Sequence, residues 1–150
     1  MENCEYCDLD EKDDFFLFET KFWKIVLSDE QAYLGRMMVI SKRHCGDLAE
    51  LSKEEILDFF EVLKKIEKVM RKVFGAVYFN WTCLVNSFYK LKNPDPHLHW
   101  HCRPRYDKKI NFEGTIFKDP NFAHHYNRKP GIEHSKELKK KIAEFLKKKF

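Results

Sequence analysis

The chain has 150 residues, of which 43% are hydrophobic and 15% aromatic; this is enough to bury one core and excludes a disordered chain. The formal net charge of +4 is small, and no run of about 18 apolar residues predicts a membrane span. The N-terminus is acidic, rather than basic and then apolar, so we expect no export signal. The five cysteines are an odd number and are expected to be ligands or buried thiols rather than disulfides. These features predict a single domain over residues 1–150 in a reducing compartment, the cytoplasm.

Apolar runs predict three strands in the first forty residues. Residues 15–18 and 23–27 form a hairpin, and residues 35–40 form the third strand. Ser52 followed three residues later by Glu55 is a capping box, and it begins a long amphipathic helix that ends at Gly75. The apolar stripe of this helix is predicted to be core throughout: Ile56, Phe59, Phe60, Leu63, Ile66, Met70 and Val73.

The second half of the chain predicts two further strands and a closing helix. Residues 77–85 are apolar and aromatic and favour a central strand, and residues 97–105 follow after a proline-marked loop. Residues 107–131 are predicted to be mostly irregular with brief pairing at 115–117, and apolar spacing from Leu138 to Leu146 predicts the helix. The order indicates an α+β domain: an antiparallel sheet of about five strands, one long helix packed on it and a C-terminal helix.

Three histidines stand at every second position: His97, His99 and His101. In a β-strand they lie on one face, because strand side chains alternate between faces. The intervening positions are apolar and would face the core: Leu98, Trp100 and Cys102. Histidine is the side chain that most readily acts as a base, a nucleophile or a metal ligand near neutral pH, so this face predicts chemistry.

This pattern, with Pro104-Arg105 after it, resembles the histidine triad (HIT) family, in which three histidines alternate with apolar residues. Arg103 stands where the family has an apolar residue. The resemblance runs from Cys4 to Arg105 and leaves a C-terminal extension, residues 107–150, unmatched. It implies the HIT-like fold and a nucleotide hydrolase or nucleotidyl transferase. The substrates implied are dinucleoside polyphosphates or nucleoside phosphoramidates, cleaved at the α-phosphate.

The resemblance also implies roles for individual residues. His99 is the expected nucleophile, which forms a nucleotidyl-histidine intermediate, and His101 is expected to donate to the phosphate oxygens. Four residues match positions that contact the nucleotide in the family: Asn86, Asn93, Ser28 and Asp29. Asn86 is equally well explained as a turn residue that closes its strand. A proline replaces the hydroxyl residue that many members carry just before the triad, and this leaves the leaving group open.

Cys4 and Cys7 have the spacing with which two thiolates bind one zinc ion, although a lone pair of this kind is a weak signal. The zinc-containing subset of HIT proteins, and the related galactose-1-phosphate uridylyltransferases, add two histidines. The resemblance implies His44 and His97 for that role, in a closed structural zinc site. A redox cysteine pair and a pair of buried thiols are the alternatives.

Two other functional classes stay open. One is a nucleotide-binding regulatory module with negligible turnover. The other is a metallohydrolase that holds one catalytic ion with all three triad histidines. The family resemblance implies a homodimer formed through the long helix and a neighbouring strand. Lysines cluster in residues 136–149, but a solvated helix face explains them, so we expect no nucleic-acid partner and no membrane partner.

Overall fold

The computed structural model describes residues 4–127 and 130–150. Its elements are α1 (Glu5–Asp8), β1 (Phe16–Glu19), β2 (Trp23–Leu27), β3 (Met37–Ser41), α2 (Lys53–Phe74), β4 (Tyr78–Cys83), β5 (His99–Arg105), β6 (Ile110–Phe112), β7 (Thr115–Phe117) and α3 (Lys136–Lys147). Strands β1-β2-β3-β5-β4 form one antiparallel sheet in that order, and β6 pairs with β7. The predicted α+β fold is confirmed. No described helix has the length and apolar character needed to cross a membrane.

One face of the sheet packs on the two longer helices and forms the core. Trp23 is fully buried there, and its indole nitrogen donates to the Glu55 carbonyl oxygen at 2.9 Å. Helices α2 and α3 contribute to the same apolar cluster through buried side chains: Val62, Ile66, Met70, Ile142, Ala143 and Leu146. The other face of the sheet is left for the site, because the two longer helices, α2 and α3, lie on the core side and only the short α1 lies on the other.

Helix α2 begins and ends where the sequence predicts. The hydroxyl of Ser52 accepts from the Glu55 amide at 3.2 Å and the Glu55 carboxylate accepts from the Ser52 amide at 2.8 Å, while Gly75 ends the helix in the left-handed conformation. The prediction that its whole apolar stripe is core is wrong, because Ile56 and Phe60 are 50% and 53% exposed. The stripe is wider than the surface that the sheet covers.

The predicted central strand over residues 77–85 is an edge strand, β4, and β5 takes a central place between β3 and β4. All residues of β4 are half-buried, since neighbouring segments contact the strand from outside the sheet. The indole nitrogen of Trp81 donates to Glu67 of α2 at 3.1 Å, and the hydroxyl of Tyr78 accepts from the Ala123 amide at 3.1 Å. Because these contacts shield β4 from solvent, its sequence is apolar although it lies at the edge of the sheet.

Residues 119–127 are held against the site face of the sheet by Arg105. The guanidinium is fully buried and binds both carboxylate oxygens of Asp119, at 2.7 and 3.1 Å. It also donates to the side chain of Asn80 at 2.7 Å and to the carbonyl of His124 at 3.1 Å. The brief pairing predicted at 115–117 is present as the β6–β7 hairpin.

Candidate functional site

Four candidate metal ligands lie together at the N-terminal end of β5. One ligand atom from each of Cys4, Cys7, His44 and His97 lies within 4.8 Å of all the others. The Cys4 Sγ is 3.2 Å from the His97 Nδ1, and the Cys7 Sγ is 3.4 Å from the His44 Nδ1. Zn–S and Zn–N bonds of about 2.3 and 2.0 Å at the tetrahedral angle separate the two ligand atoms by about 3.5 Å, so this donor set fits a zinc ion.

The second ring nitrogen of each histidine is also occupied. Nε2 of His97 donates to the Ser41 carbonyl at 2.7 Å, and Nε2 of His44 lies 3.0 Å from the Asp95 carboxylate. Such outer partners fix which nitrogen faces a metal. Burial lowers the pKa of His97, which favours the neutral imidazole that a metal requires.

The turn that carries the cysteines is held by Lys24 on β2. Its ammonium group donates to the carbonyl oxygens of Cys7 and Leu9 at 2.9 and 2.5 Å. Within the turn, the Cys7 amide donates to the Cys4 carbonyl at 3.0 Å. The two thiols are therefore positioned by the sheet as well as by α1.

His99 and His101 follow on the same face of β5, as alternation predicts. Their rings lie 4.9 Å apart and are nearly perpendicular, at 87°. Nδ1 of His99 donates to the His97 carbonyl at 2.9 Å, and this fixes the tautomer in which Nε2 carries the lone pair. On the opposite face Leu98 is buried, and Trp100 stacks on Phe59 at 4.8 Å.

A cavity of about 230 Å³ contains both of these histidines. Its lining residues are Tyr6, Arg36, Leu84, Asn86, Ser87, His99, His101 and Arg103. Tyr6 of α1 covers His99, with 5.0 Å between the ring centroids. Burial lowers the pKa of His99, so the imidazole in this cavity favours its neutral, nucleophilic form.

The triad histidines thus divide into two groups. The ring of His97 has one nitrogen toward the thiols and the other on the Ser41 carbonyl, whereas His99 and His101 line the cavity. Neither nitrogen of His97 is left for an ion shared with the other two histidines. This geometry speaks against a single catalytic ion held by the whole triad.

Comparison with known proteins decides the family. A family model described as the HIT domain matches residues 10–108. The chain belongs to the HIT family. Among curated proteins, "Protein hit" of Bacillus subtilis (strain 168) is 29% identical over 119 residues, which are 78% of this chain and 80% of the relative.

Two solved structures illustrate how widely this fold is shared. A diadenosine triphosphate hydrolase of Plasmodium falciparum, solved with cyclomarin A, has a TM-score of 0.63 and 15% identity, covering 93% of this chain and 77% of that one. A Zn-bound histidine triad family protein of Mycobacterium smegmatis has a TM-score of 0.56 and 17% identity, covering 89% and 81%. These likenesses establish the architecture of this HIT protein.

The four predicted nucleotide-binding residues lie in different surroundings. Asn86 lines the cavity of His99 and His101. Asp29 lines a neighbouring cavity of about 250 Å³, and its carboxylate lies 2.5 Å from the Lys139 ammonium group. Ser28, the preceding residue, is buried and is not among the residues that line this cavity. Asn93 is exposed in the loop before β5 and is not among the residues that line either cavity.

The neighbouring cavity shares Tyr6 with the first. Three carboxylates line it, from Glu5, Asp13 and Asp29. The other lining residues are mainly apolar: Tyr6, Leu9, Phe15, Val26, Leu27 and Met38. An apolar wall with a few polar groups suits a nucleoside, whose base stacks on apolar side chains while its hydroxyls bind acceptors.

Sequence reasoning missed five of the residues that line this cavity: Tyr6, Arg36, Leu84, Ser87 and Arg103. For Arg103 the signal was present, since it continues the alternation of the histidines and interrupts the apolar pattern of the family. Tyr6 and Arg36 come from other elements, and no local pattern in the sequence links them to β5.

Proposed function

We propose that this HIT protein is a nucleotide hydrolase or nucleotidyl transferase that acts at an α-phosphate through His99. The observation that carries the proposal is the hydrogen bond from Nδ1 of His99 to the His97 carbonyl. It leaves Nε2 as the ring nitrogen with a lone pair, in a cavity that also contains His101 and Asn86. A neutral, oriented imidazole next to a second imidazole is suited to nucleophilic catalysis on phosphorus.

The reaction has two displacements. Nε2 of His99 attacks the α-phosphorus, and the bond from phosphorus to the leaving group breaks, with its electron pair departing on the leaving group. Water then attacks the same phosphorus and loses a proton, which solvent passes to the departed leaving group. The P–N bond breaks and its electron pair returns to Nε2, giving the nucleoside monophosphate. The proton stays on Nδ1 throughout, in its hydrogen bond to the His97 carbonyl oxygen. His101 donates to the phosphate oxygens in both transition states.

The nucleoside is proposed to occupy the neighbouring cavity, which opens beside Met38. In the register of the sheet Met38 pairs with His101, so the two cavities are adjacent across β3 and β5. Asp29 and Ser28 are proposed to approach the ribose hydroxyls, and Asn86 the α-phosphate. Asn93 is proposed to contact the leaving group from the loop before β5.

Zinc is proposed as the metal of this protein, held by Cys4, Cys7, His44 and His97. Bound there it would supply a closed, four-coordinate cross-link rather than a Lewis acid, because all four positions are taken by the chain. Thiolate ligands of this kind persist in reducing compartments, which agrees with the proposed location in the cytoplasm.

The test of the proposed reaction uses a rapid quench. The wild-type protein is mixed with adenosine phosphoramidate or diadenosine triphosphate, and the quenched protein is analysed by mass spectrometry. A nucleotidyl adduct on His99 is expected, His99→Ala should abolish turnover, and His101→Ala should slow it by about 10²–10³-fold. His124→Ala, a histidine on the exposed loop after β7, is the matched control.

Consumption of substrate with no adduct on His99 would contradict the covalent mechanism. Nucleotide binding without turnover of either substrate would instead favour a regulatory module. Calorimetric titration with adenosine monophosphate distinguishes this outcome from a protein that binds no nucleotide.

A homodimer through α2 and β4 is also proposed. Ile56, Leu57 and Phe60 expose 50%, 66% and 53% of their surface on α2, and β4 is an edge strand. Apolar side chains grouped on one helix are typical of a surface that another protein covers. Sedimentation of wild type and of Phe60→Glu tests this, since the charge should give a monomer if the face is the interface.

A further inference from the structure

Arg103 is the residue at which this chain departs from the apolar pattern of the triad strand. It lies on the face of His99 and His101, about 7 Å beyond His101 along the strand, and it lines their cavity. Its side chain is almost fully buried, at 3% exposure. A charged residue in that position needs an explanation, since an apolar side chain would fill the place without desolvating a charge.

The charge of Arg103 is poorly compensated within the protein. Its Nη1 donates to the Thr82 hydroxyl at 3.3 Å, and its guanidinium lies 4.1 Å from the centroid of the Tyr126 ring. Within residues 4–127 and 130–150 it forms no ion pair, and its buried Nε has no hydrogen-bond partner. Burial, with the nearby charge of Arg36, lowers the pKa of Arg103 to about 10. A buried cation of this kind is costly unless a ligand completes its bonds.

Arg36 brings a second positive charge to the same place. Met37 pairs with Cys102 across β3 and β5, so Arg36 lies opposite Arg103 in the register. It forms an ion pair with Glu30, yet its buried Nε also lacks a partner among the described residues. The two guanidinium groups therefore share one nearby carboxylate, and both line the cavity of the nucleophile.

We propose that Arg36 and Arg103 form a subsite for a phosphate group of the leaving group, beyond the α-phosphate that His99 attacks. This inference rests on the proposed function and specifies its substrate class: a nucleotidyl group joined to a phosphate, as in dinucleoside polyphosphates, rather than to an amine. The planar N–H fork of arginine matches phosphate oxygens, and both arginines line the cavity.

The subsite acts on the leaving group as the bond to the α-phosphorus breaks. The departing phosphate then gains negative charge, and two fixed cations in a buried cavity stabilise that charge without reorganisation. An amine leaving group carries no such charge and gains nothing from them. The two arginines should therefore determine how strongly the enzyme prefers a phosphate leaving group over an amine leaving group.

The test compares kcat/KM for diadenosine triphosphate and adenosine phosphoramidate in wild type, Arg103→Met, Arg103→Lys and Arg36→Gln. Arg103→Met keeps an apolar stem against Tyr126 and removes the charge. It should reduce the preference for the polyphosphate by about 10- to 100-fold, the range for hydrogen bonds to charged groups. Arg103→Lys keeps the charge but lacks the planar N–H fork, so its preference for the polyphosphate should lie between those of wild type and Arg103→Met. Lys72→Met, which removes an exposed lysine of α2, is the control for net charge and should leave both rates unchanged.

A binding measurement separates failure of the subsite from failure of the proposed function. Titration with adenosine diphosphate and adenosine monophosphate gives the contribution of one extra phosphate, whether or not either substrate turns over. Loss of the preference for the diphosphate in Arg103→Met supports the subsite, and Arg103→Lys gives the same comparison if the methionine variant does not fold. An equal loss for both substrates, or an unchanged diphosphate preference, overturns it.

Discussion

The carbonyl oxygen of His97 accepts a hydrogen bond from Nδ1 of His99 at 2.9 Å, while the ring of His97 lies 3.2 Å from the Cys4 thiol. One residue thus orients the proposed nucleophile through its backbone and joins the metal cluster through its side chain. Movement of His97 when the cluster opens would tilt the imidazole of His99. The proposed metal site and the orientation of the proposed nucleophile are therefore coupled through a single residue.

Removal of the metal is predicted to destabilise the protein. The ligands lie up to 93 residues apart in the chain, so metal binding contributes directly to folding free energy. We expect about one zinc per chain by elemental analysis, a lower Tm after chelation and no retained zinc in Cys4→Ser. Cys83→Ser, a cysteine outside the cluster, is the control and should keep its metal. Full metal content in Cys4→Ser would contradict the assignment of this ligand.

The capping carboxylate of α2 is predicted to make stability depend on pH. Hydrogen bonds from Arg43 at 3.0 Å, followed by those from Ser52, lower the pKa of Glu55. A lowered pKa in the folded state stabilises the protein above the pKa of the unfolded state, and this gain is lost as the pH falls through the folded value. Glu55→Gln should therefore lower the free energy of unfolding by about 1 kcal/mol at pH 7.

Urea unfolding at neutral and acid pH checks this prediction. The difference between wild type and Glu55→Gln should shrink as the pH falls below the ordinary glutamate pKa and through the lowered pKa of Glu55 in the folded protein. Glu54→Gln alters the exposed neighbour in the same helical turn and serves as the control. A difference that stays constant with pH would show that the ionised carboxylate is not the cause.

Asp119 is predicted to be one of the most sensitive positions for stability. Its carboxylate is the buried partner of Arg105, and Asp119→Asn would leave that guanidinium charge uncompensated. Breaking one side of such a pair costs about 3–5 kcal/mol, measurable by denaturant titration. Glu61→Gln breaks the exposed pair with Lys64 at 3.0 Å and should cost less than about 1 kcal/mol. Equal effects of the two variants would contradict this ranking.

Substitution of Gly35 is predicted to destabilise the protein for two separable reasons. It has a φ of +75°, and a Cβ there would collide with the end of the buried Met70 side chain. Gly114 has a φ of +78° with no heavy atom within 4 Å of that position. Gly114→Ala should cost about 1 kcal/mol from the backbone alone, and Gly35→Ala an additional amount of about 1–3 kcal/mol from overpacking. Thermal unfolding of both variants gives the difference directly.

The parts of the site that follow a local pattern could be predicted from the sequence. Three such patterns depend only on neighbours in the chain. Two belong to the site, the alternation of His99 and His101 and the spacing of Cys4 and Cys7, and one belongs to the fold, the capping box at Ser52. The order of the strands could not be predicted, because an apolar run such as 77–85 indicates burial without saying which strands flank it. The same limit applies to Arg36, whose place opposite Arg103 depends on the register of β3 against β5.

The sequence also could not predict how much of the apolar face of α2 is buried. Helical spacing predicts which side of α2 is apolar, but the covered portion depends on how the sheet curves beneath it. Ile56 and Phe60 share the spacing of Ile66 and Met70, yet only the latter two are fully buried.

The alternation of β5 also governs how the length of this gene can change over evolution. A single codon inserted between His99 and His101 would reverse the faces of the later residues of the strand, so that His101, the proposed phosphate donor, would enter the core and an apolar residue the cavity. Insertions should instead accumulate in the exposed stretch 89–94, which precedes the residue that contacts His44. A library of random insertions screened for folding should therefore show a gap over β5 beside a tolerant loop.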